Sequence, residues 1–235
     1  MDKLVQNMLR TPGRPVQADG MNARERLLDA AVILFSRQGV AATPTRAIAQ
    51  HCSVTPAMVQ YYFSSREKLL DAVFDERISR FIDHVFTDIP VDSQQVKDVV
   101  AGLVDRIFLA VEEMPWMPSV WLRDIVSEGG VFRKRMMLYL QQKMDSPASA
   151  AGMGDIRIRF QAAHQMNELS PGIVPGLIQV SIIGLVMFPL ATQGMWLNLP
   201  GMHSVDRAQI RQHAQALLAY GVTRLHSAVP DAGEC

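Results

Sequence analysis

The chain has 235 residues, of which 49% are hydrophobic, so it is long enough to bury the core of one large domain or two small ones. Its 23 Lys and Arg balance its 23 Asp and Glu, so the net charge alone does not indicate a nucleic-acid partner. The distribution of charge along the chain does indicate one. Residues 1–66 hold eight basic and four acidic residues, whereas the remainder holds 15 basic and 19 acidic residues. This pattern is typical of a DNA-binding domain joined to a second domain.

Cysteines and motifs narrow the class of protein further. The two cysteines, Cys52 and Cys235, and an N-terminus without an apolar signal segment favour a reducing cytoplasm. The histidines are scattered singly, and the chain has no zinc-ligand spacing, nucleophile elbow, Gly-rich phosphate loop or paired carboxylate motif. We therefore expect no catalytic residues, no metal and no cofactor, with a soluble helical enzyme kept as the alternative from another class.

Residues 1–20 contain Pro and Gly and few large apolar side chains, which predicts a flexible basic arm. Two interpretations stay open. The arm is a disordered tail, or Arg14, between Gly13 and Pro15, reaches into a narrow A·T minor groove.

Residues 21–70 read as three short helices and the start of a fourth. A capping box, Asn22 to Glu25, predicts the start of the first helix, and Gly39 its end. Two Thr-Pro pairs, Thr43-Pro44 and Thr55-Pro56, predict the starts of two further helices, because Thr can cap amide groups and Pro suits the first helical position. A second capping box, Ser64 to Glu67, begins a long helix through Phe86.

The third of these helices has one apolar and one mixed face. Val59 and Phe63 lie four residues apart and are expected to face inward. The opposite, outward side then carries small, polar and aromatic residues, namely Pro56, Ala57, Gln60 and Tyr61. Such a side suits a surface that reads DNA bases. The segment therefore predicts a helix-turn-helix that enters the major groove of DNA.

Residues 24–74 resemble the TetR (tetracycline-repressor-like) family of bacterial regulators. The resemblance rests on residue types at fixed offsets, namely Ala31, Leu34, Phe35, Gly39, Thr43, Thr45, Ile48-Ala49, Tyr61-Tyr62-Phe63, Arg66 and Leu69-Leu70. Three positions depart from the family pattern: Ser53 stands where the turn often has Gly, Gln60 where Tyr is frequent, and Arg66 where Lys is usual.

The resemblance implies roles for these residues. Five of them would contact the DNA backbone: Thr45, Thr55, Tyr61, Tyr62 and Arg66. Three would face base edges: Pro56, Ala57 and Gln60. The predicted DNA-binding set also includes Arg14, Arg24 and Arg46. The resemblance also implies that a homodimer binds double-stranded DNA at an inverted-repeat operator. The protein would then act as a repressor.

Residues 71–228 are predicted to form a larger helical domain, followed by a polar tail at 229–235, so the fold class is all-α. Apolar periodicity predicts the following helices: 96–114 after a capping box at Asp92 to Gln95, a short helix from Val120 to Gly129, 131–144, 155–168, about 173–190 and 206–225. Residues 145–154 read as a loop. The basic triplet 133–135 is read as a solvated helix face rather than a nucleic-acid patch.

Aromatic and Met residues on the middle helices suggest a pocket for a small, largely apolar effector, where the resemblance also implies one. The candidates are Phe108, Trp116, Met117, Trp121, Met136 and Met137. The alternative for each residue is ordinary core.

The stretch 169–205 contains no charged residue. Its apolar part, 173–190, raises a membrane-associated helical protein as a further alternative, which we judge unlikely because Pro and Gly interrupt it and no basic flank follows. A helix that is apolar all round also suits the centre of a bundle. The resemblance implies that helices at about 173–193 and 206–225 pair with their copies in a four-helix dimer interface.

Overall fold

The computed structural model describes residues 18–87, 89, 95–145 and 152–223. Within this part of the chain the structure is helical, and the β-type pairing is limited to an isolated antiparallel bridge between Leu169 and Thr223. The all-α prediction is confirmed. Arg14 with most of the predicted arm, the capping box at Asp92, most of the loop at 145–154 and the tail at 229–235 fall outside the described residues.

The N-terminal domain consists of four helices around a small core. They are α1 (Ala18–Gln38), α2 (Thr45–His51), α3 (Pro56–Phe63) and α4 (Arg66–Val73). The first helix begins four residues before the predicted start at Asn22.

The helix caps differ in detail from the sequence prediction. The hydroxyl of Thr43 is buried and donates to the carbonyl of Gly39 (2.7 Å), so it does not cap α2, whose N-cap position is Pro44. Thr55 does occupy the N-cap of α3, but its hydroxyl makes no capping bond. Ser65 rather than Ser64 caps α4, and its hydroxyl accepts the amide of Lys68. The predicted starts of α2, α3 and α4 are right to within two residues, while their predicted capping bonds are not.

A long helix, residues 66–86, leaves the N-terminal domain as predicted. It comprises α4, a π-helical turn (Phe74–Ile78) and α5 (Ser79–Phe86). We call this continuous segment the connector. The sequence analysis did not predict the π-helical turn, in which hydrogen bonds join residues five apart.

The C-terminal domain is a helical bundle. Its elements are α6 (Val96–Glu113), α7 (Met117–Val120), a second π-helical turn (Trp121–Val126), α8 (Arg133–Asp145), α9 (Met153–Gln165), α10 (Pro175–Ala191), α11 (Gln193–Trp196) and α12 (Arg207–Val222). Helix α6 packs against α5, α10 and α12, and α10 also packs against α9. In the described part of the chain, no helix has the length and apolar character needed to cross a membrane.

Phe132, just before α8, joins the two domains. Its side chain is fully buried, and its ring centroid lies 6.1 Å from that of Phe35 in α1 and 6.3 Å from that of Phe74 in the connector. Such tilted aromatic pairs add about 0.5–1.5 kcal/mol beyond the area they bury. One residue of the C-terminal domain therefore contacts both the N-terminal domain and the connector.

Charged and hydroxyl groups continue this contact along α8. Arg135 pairs with Glu67 (2.8 Å) and Asp71 (2.9 Å) of α4, so one member of the basic triplet is an interdomain ion-pair residue and not part of a solvated face. Further along, the hydroxyl of Tyr139 donates to Asp83 (2.5 Å). Helix α8 is thus attached to the connector at two positions about one turn apart.

We predict that Phe132→Ala lowers the free energy of unfolding by about 3–5 kcal/mol, because it removes a fully buried ring between two aromatic neighbours. Urea unfolding at fixed protomer concentration measures the change. Met137→Ala, on the exposed side of α8, is the matched control and should shift the free energy by less than about 0.5 kcal/mol. Equal effects of the two substitutions would contradict this account of the interface.

Candidate nucleic-acid interface

The turn between α2 and α3 is held against α1 by a reciprocal pair of contacts. Arg26 donates to the carbonyl of Cys52 (2.6 Å), and the Cys52 thiol donates to the carbonyl of Arg26 (3.2 Å). Ser53 has a φ of 56°, the left-handed conformation that the family pattern assigns to Gly at this position. The turn geometry is therefore kept, although a residue other than Gly occupies it.

Helix α3 presents the face that the sequence predicted. Val59 and Phe63 are buried, whereas Pro56, Ala57, Gln60 and Tyr61 are exposed. Tyr61 is 81% exposed, and its ring packs edge-on against the half-buried Tyr62 at 5.2 Å. The side-chain amide of Gln60 donates to the carbonyl of Ser64, which lies at the helix C-terminus. The candidate base-reading residues share one solvent-facing side of a helix whose other side is fixed in the core.

Three further candidates lie at the starts of α2 and α3. Thr45 is half-buried, and Arg46 and Thr55 are exposed. Their positions at the helix N-termini, where backbone amides lack helical partners, suit contact with phosphate oxygens.

Arg24, which the sequence analysis includes among the DNA contacts, is engaged within the protein. Its guanidinium makes two hydrogen bonds to Glu76 of the connector (2.5 and 2.7 Å) and lies 5.3 Å from the ring centroid of Phe63. The hydrogen bond from Arg24 holds the pKa of the Glu76 carboxyl below its ordinary value. The bidentate pair assigns Arg24 a role in tying α1 to the connector.

Arg66, the second arginine predicted to contact the DNA backbone, is also bonded within the protein. Its guanidinium donates to the carbonyls of Val40 (2.6 Å) and Thr43 (2.7 Å). These charge-assisted bonds fix the loop between α1 and α2. They explain why Arg can replace the usual Lys here, since its planar fork reaches two carbonyls at once.

Asp124, in the π-helical turn Trp121–Val126, is an interface residue that the sequence did not reveal. It is 96% buried, and its Oδ1 accepts the backbone amide of Val40 at 3.3 Å. Its Oδ2 has no hydrogen-bond partner among the described protein groups. Burial raises the pKa of the Asp124 carboxyl, against the effects of the Val40 amide and the charge of Arg123.

The predicted effector residues lie in the C-terminal domain, but not all on its inner side. Phe108, Met117 and Met136 are buried, and Trp116 and Trp121 are half-buried against the core. Met137 is 62% exposed and does not join the others, because it follows Met136 by one residue and so points about 100° away around α8.

Two clefts border these regions. A cleft of about 370 Å³ between α6 and α12 has Phe108 at its wall, together with Glu112, Arg207 and Arg211. Another, of about 490 Å³, lies at the domain interface, between Pro44 and Thr45 of the N-terminal domain, Arg66 of the connector and Val131. The other five predicted effector residues line neither cleft.

The sequence of the N-terminal helices matches a known family. Residues 27–73 match the model described as bacterial regulatory proteins, tetR family. A probable HTH-type transcriptional regulator, YttP of Bacillus subtilis (strain 168), is 23% identical over 126 residues, which cover 52% of this chain and 60% of that protein. The HTH-type transcriptional regulator BetI of Escherichia coli O157:H7 is 23% identical over 195 residues, or 81% and 93% of the two chains. The match thus spans less than two thirds of YttP.

Solved structures share the fold. The transcriptional regulator FadR from Bacillus subtilis, in complex with stearoyl-CoA, has a TM-score of 0.59 at 17% identity and covers 84% of this chain and 98% of its own. A putative transcriptional regulator from Saccharomonospora viridis, in complex with choline, has a TM-score of 0.56 at 15% identity, covering 87% and 100%. The family match and the helix-turn-helix geometry agree, and residues 27–73 form a domain of the TetR family of bacterial regulatory proteins.

Proposed function

We propose that this protein is a homodimeric, sequence-specific DNA-binding transcriptional repressor, which a small, largely apolar ligand releases from an inverted-repeat operator. The observation that carries the proposal is the surface of α3. Ala57, Gln60 and Tyr61 are exposed on a helix whose buried residues, Val59 and Phe63, fix its orientation in the domain. A major groove admits one such helix, and the exposed groups are those that contact base edges and phosphates.

The proposed dimer uses α10 and α12. Both helices keep large apolar side chains exposed in the single chain, namely Leu177, Val180, Phe188, Leu217 and Tyr220. On α10 the exposed positions recur at helical spacing with small residues between them, such as Ser181 and Gly184. Burying two such faces against their copies would form a four-helix interface.

The proposed effector site lies among the middle helices of the C-terminal domain. Trp116 and Trp121 are only half-buried there, beside the buried Met117, and Phe108 and Met136 complete the candidate set. Adaptable Met and flat aromatic side chains suit apolar or amphipathic ligands. The complexes of relatives with stearoyl-CoA and choline, which differ greatly in size, supply two chemically distinct probes.

A binding selection on random duplex DNA tests the proposed function. A dimer with two recognition helices should enrich an inverted repeat whose half-sites are about one helical turn or more apart. Within that operator, Gln60→Ala should relax the preference at one base position per half-site, because an amide that pairs with an adenine edge contributes roughly 1–3 kcal/mol of discrimination. Thermal melting shows whether loss of the Gln60 bond to Ser64 affects folding.

Gln161→Ala, an exposed glutamine on α9 of the C-terminal domain, is the matched control and should leave the selected sequence unchanged. Enrichment of a single, non-repeated site by a monomer would contradict the proposed mode of binding. A uniform loss of affinity in Gln60→Ala, with no change of preference, would place Gln60 on a phosphate and not on a base.

Leu217→Glu should convert the dimer to a monomer at micromolar concentration, because it places a charge in an interface that is proposed to be apolar. Sedimentation velocity measures the change. Met137→Glu introduces the same charge at another exposed apolar site and should sediment as the unmodified protein does. If Leu217→Glu also sediments unchanged, α12 does not form the interface.

Ligand release is tested by titrating stearoyl-CoA and choline against the protein with and without operator, using tryptophan fluorescence. A ligand that releases DNA must bind the free protein more tightly than the complex, and linkage requires the same factor in both directions, typically 5 to 150-fold. Trp121→Phe identifies the reporting residue. A probe that binds with equal affinity in both titrations is not an effector of this switch.

A further inference from the structure

The peptide units around Val40, between α1 and α2, are held from two sides. From within the N-terminal domain and connector, Arg66 donates to the carbonyl of Val40 at 2.6 Å, and Thr43 donates to the carbonyl of Gly39 at 2.7 Å. From the C-terminal domain, Asp124 accepts the amide of Val40 at 3.3 Å. The same short segment is therefore the point where both domains attach.

The two attachments differ in strength. The bond from Arg66 (2.6 Å) is slightly shorter than the usual N–H···O range and carries a charge, and the bond from Thr43 (2.7 Å) has the usual O–H···O length. The amide–Asp124 distance of 3.3 Å and the contact of Arg123 with the carbonyl of Phe35 (3.5 Å) lie beyond the usual 2.7–3.2 Å. Loop 39–43 is thus firmly part of the N-terminal domain and only weakly bound to the C-terminal one.

The contact between loop 39–43 and the π-helical turn, which we call closed when the two surfaces touch and open when they separate, has a desolvation cost at Asp124. Its Oδ2 is buried without a hydrogen-bond partner among the described groups, whereas separation of the two surfaces would let water solvate it. The closed arrangement gains the packing around Phe132 and loses hydration of this carboxylate. These contributions oppose each other, so a substitution at Asp124 shifts the balance between contact and separation of the two surfaces.

Two glycines, Gly39 and Gly130, lie in close contact with Arg123 and Asp124 of the π-helical turn. Gly39 has a φ of 83°, and a Cβ there would lie 2.8 Å from the side chain of Arg123. A Cβ on Gly130 would lie 2.6 Å from the carbonyl oxygen of Asp124, which accepts the amide of Phe132. Both glycines allow an approach that a side chain would prevent.

The π-helical turn that carries Asp124 also reaches the proposed effector and dimer regions. Trp121 begins this turn, and the turn packs against α10. A rearrangement of the turn would therefore move Trp121 and Asp124 together. π-helical turns are frequent at functional sites, and this one lies between the effector candidates and the N-terminal domain.

We propose that the contact between Asp124 and the Val40 amide is a clamp that opens and closes between the two domains, and that Asp124 is the positioning residue that sets its equilibrium. When the clamp opens, the N-terminal domain keeps loop 39–43 through Arg66 and separates from the π-helical turn. The effect of the clamp on operator binding rests on the proposed function, whereas the opening itself does not.

Hydrogen–deuterium exchange at the Val40 amide, resolved by fragmentation mass spectrometry on the full chain, measures the opening directly. Asp124→Asn keeps a carbonyl acceptor and removes the buried charge, so exchange should slow by about tenfold. Asp124→Ala removes the acceptor, so exchange should quicken. Glu128→Gln, an exposed carboxylate four residues away, is the charge-matched control and should exchange as the unmodified protein does.

Operator affinity supplies the second measurement, on the inverted repeat obtained by selection. The two Asp124 variants shift the clamp in opposite senses, so their operator affinities should change in opposite directions from that of the unmodified protein. Equal exchange rates at Val40 in all four proteins would overturn the clamp, and so would affinities that shift in the same direction. An unmodified protein that binds no DNA would refute the proposed function, and the exchange rates would still decide for or against the clamp.

Discussion

The side chain of Phe132 is the packing contact on which the relation of the two domains depends. Its ring lies between Phe35 of α1 and Phe74 of the connector, so it contacts both elements, at residues that are 39 apart in sequence. Because protein interiors are close-packed, a ring held on both sides transmits displacement of α8 to both neighbours. The ion pairs of Arg135 and the Tyr139 hydroxyl then fix which turns of α8 and the connector face each other.

Around this packed centre, three arginines connect elements of the fold to one another. Arg24 and Arg77 tie α1 to the connector through Glu76, Glu25 and Asp29, and Arg66 holds loop 39–43. The exposed candidates for nucleic-acid contact are consequently concentrated on α2 and α3. The basic excess of the first 66 residues thus combines two roles that a count of charges does not separate.

The sequence predicted the helices well and their tertiary partners poorly. Apolar spacing located α1–α4, α6 and α12 because a helix must bury one face, and that requirement is visible in a short window. The partners of Arg24 and Arg66 lie 52 and 26 residues away, so no local pattern distinguishes such an arginine from one that binds phosphate. Asp124 and the two π-helical turns were not predicted for the same reason. Burial of a carboxylate and an extra residue in a helical turn both depend on neighbours that are distant in sequence.

The charge-free stretch from Leu169 to Val205 has a consequence for pairing specificity. In the proposed dimer, most of the α10 surface offers no charge by which a subunit could repel a related but wrong partner. Discrimination would have to come from shape, through the alternation of Leu177, Val180 and Phe188 with small residues such as Gly184. A cell that holds several regulators of this fold would then keep their subunits apart by the fit of bulky side chains into shallow gaps, so a change of one side-chain volume on α10 could redirect which chains associate.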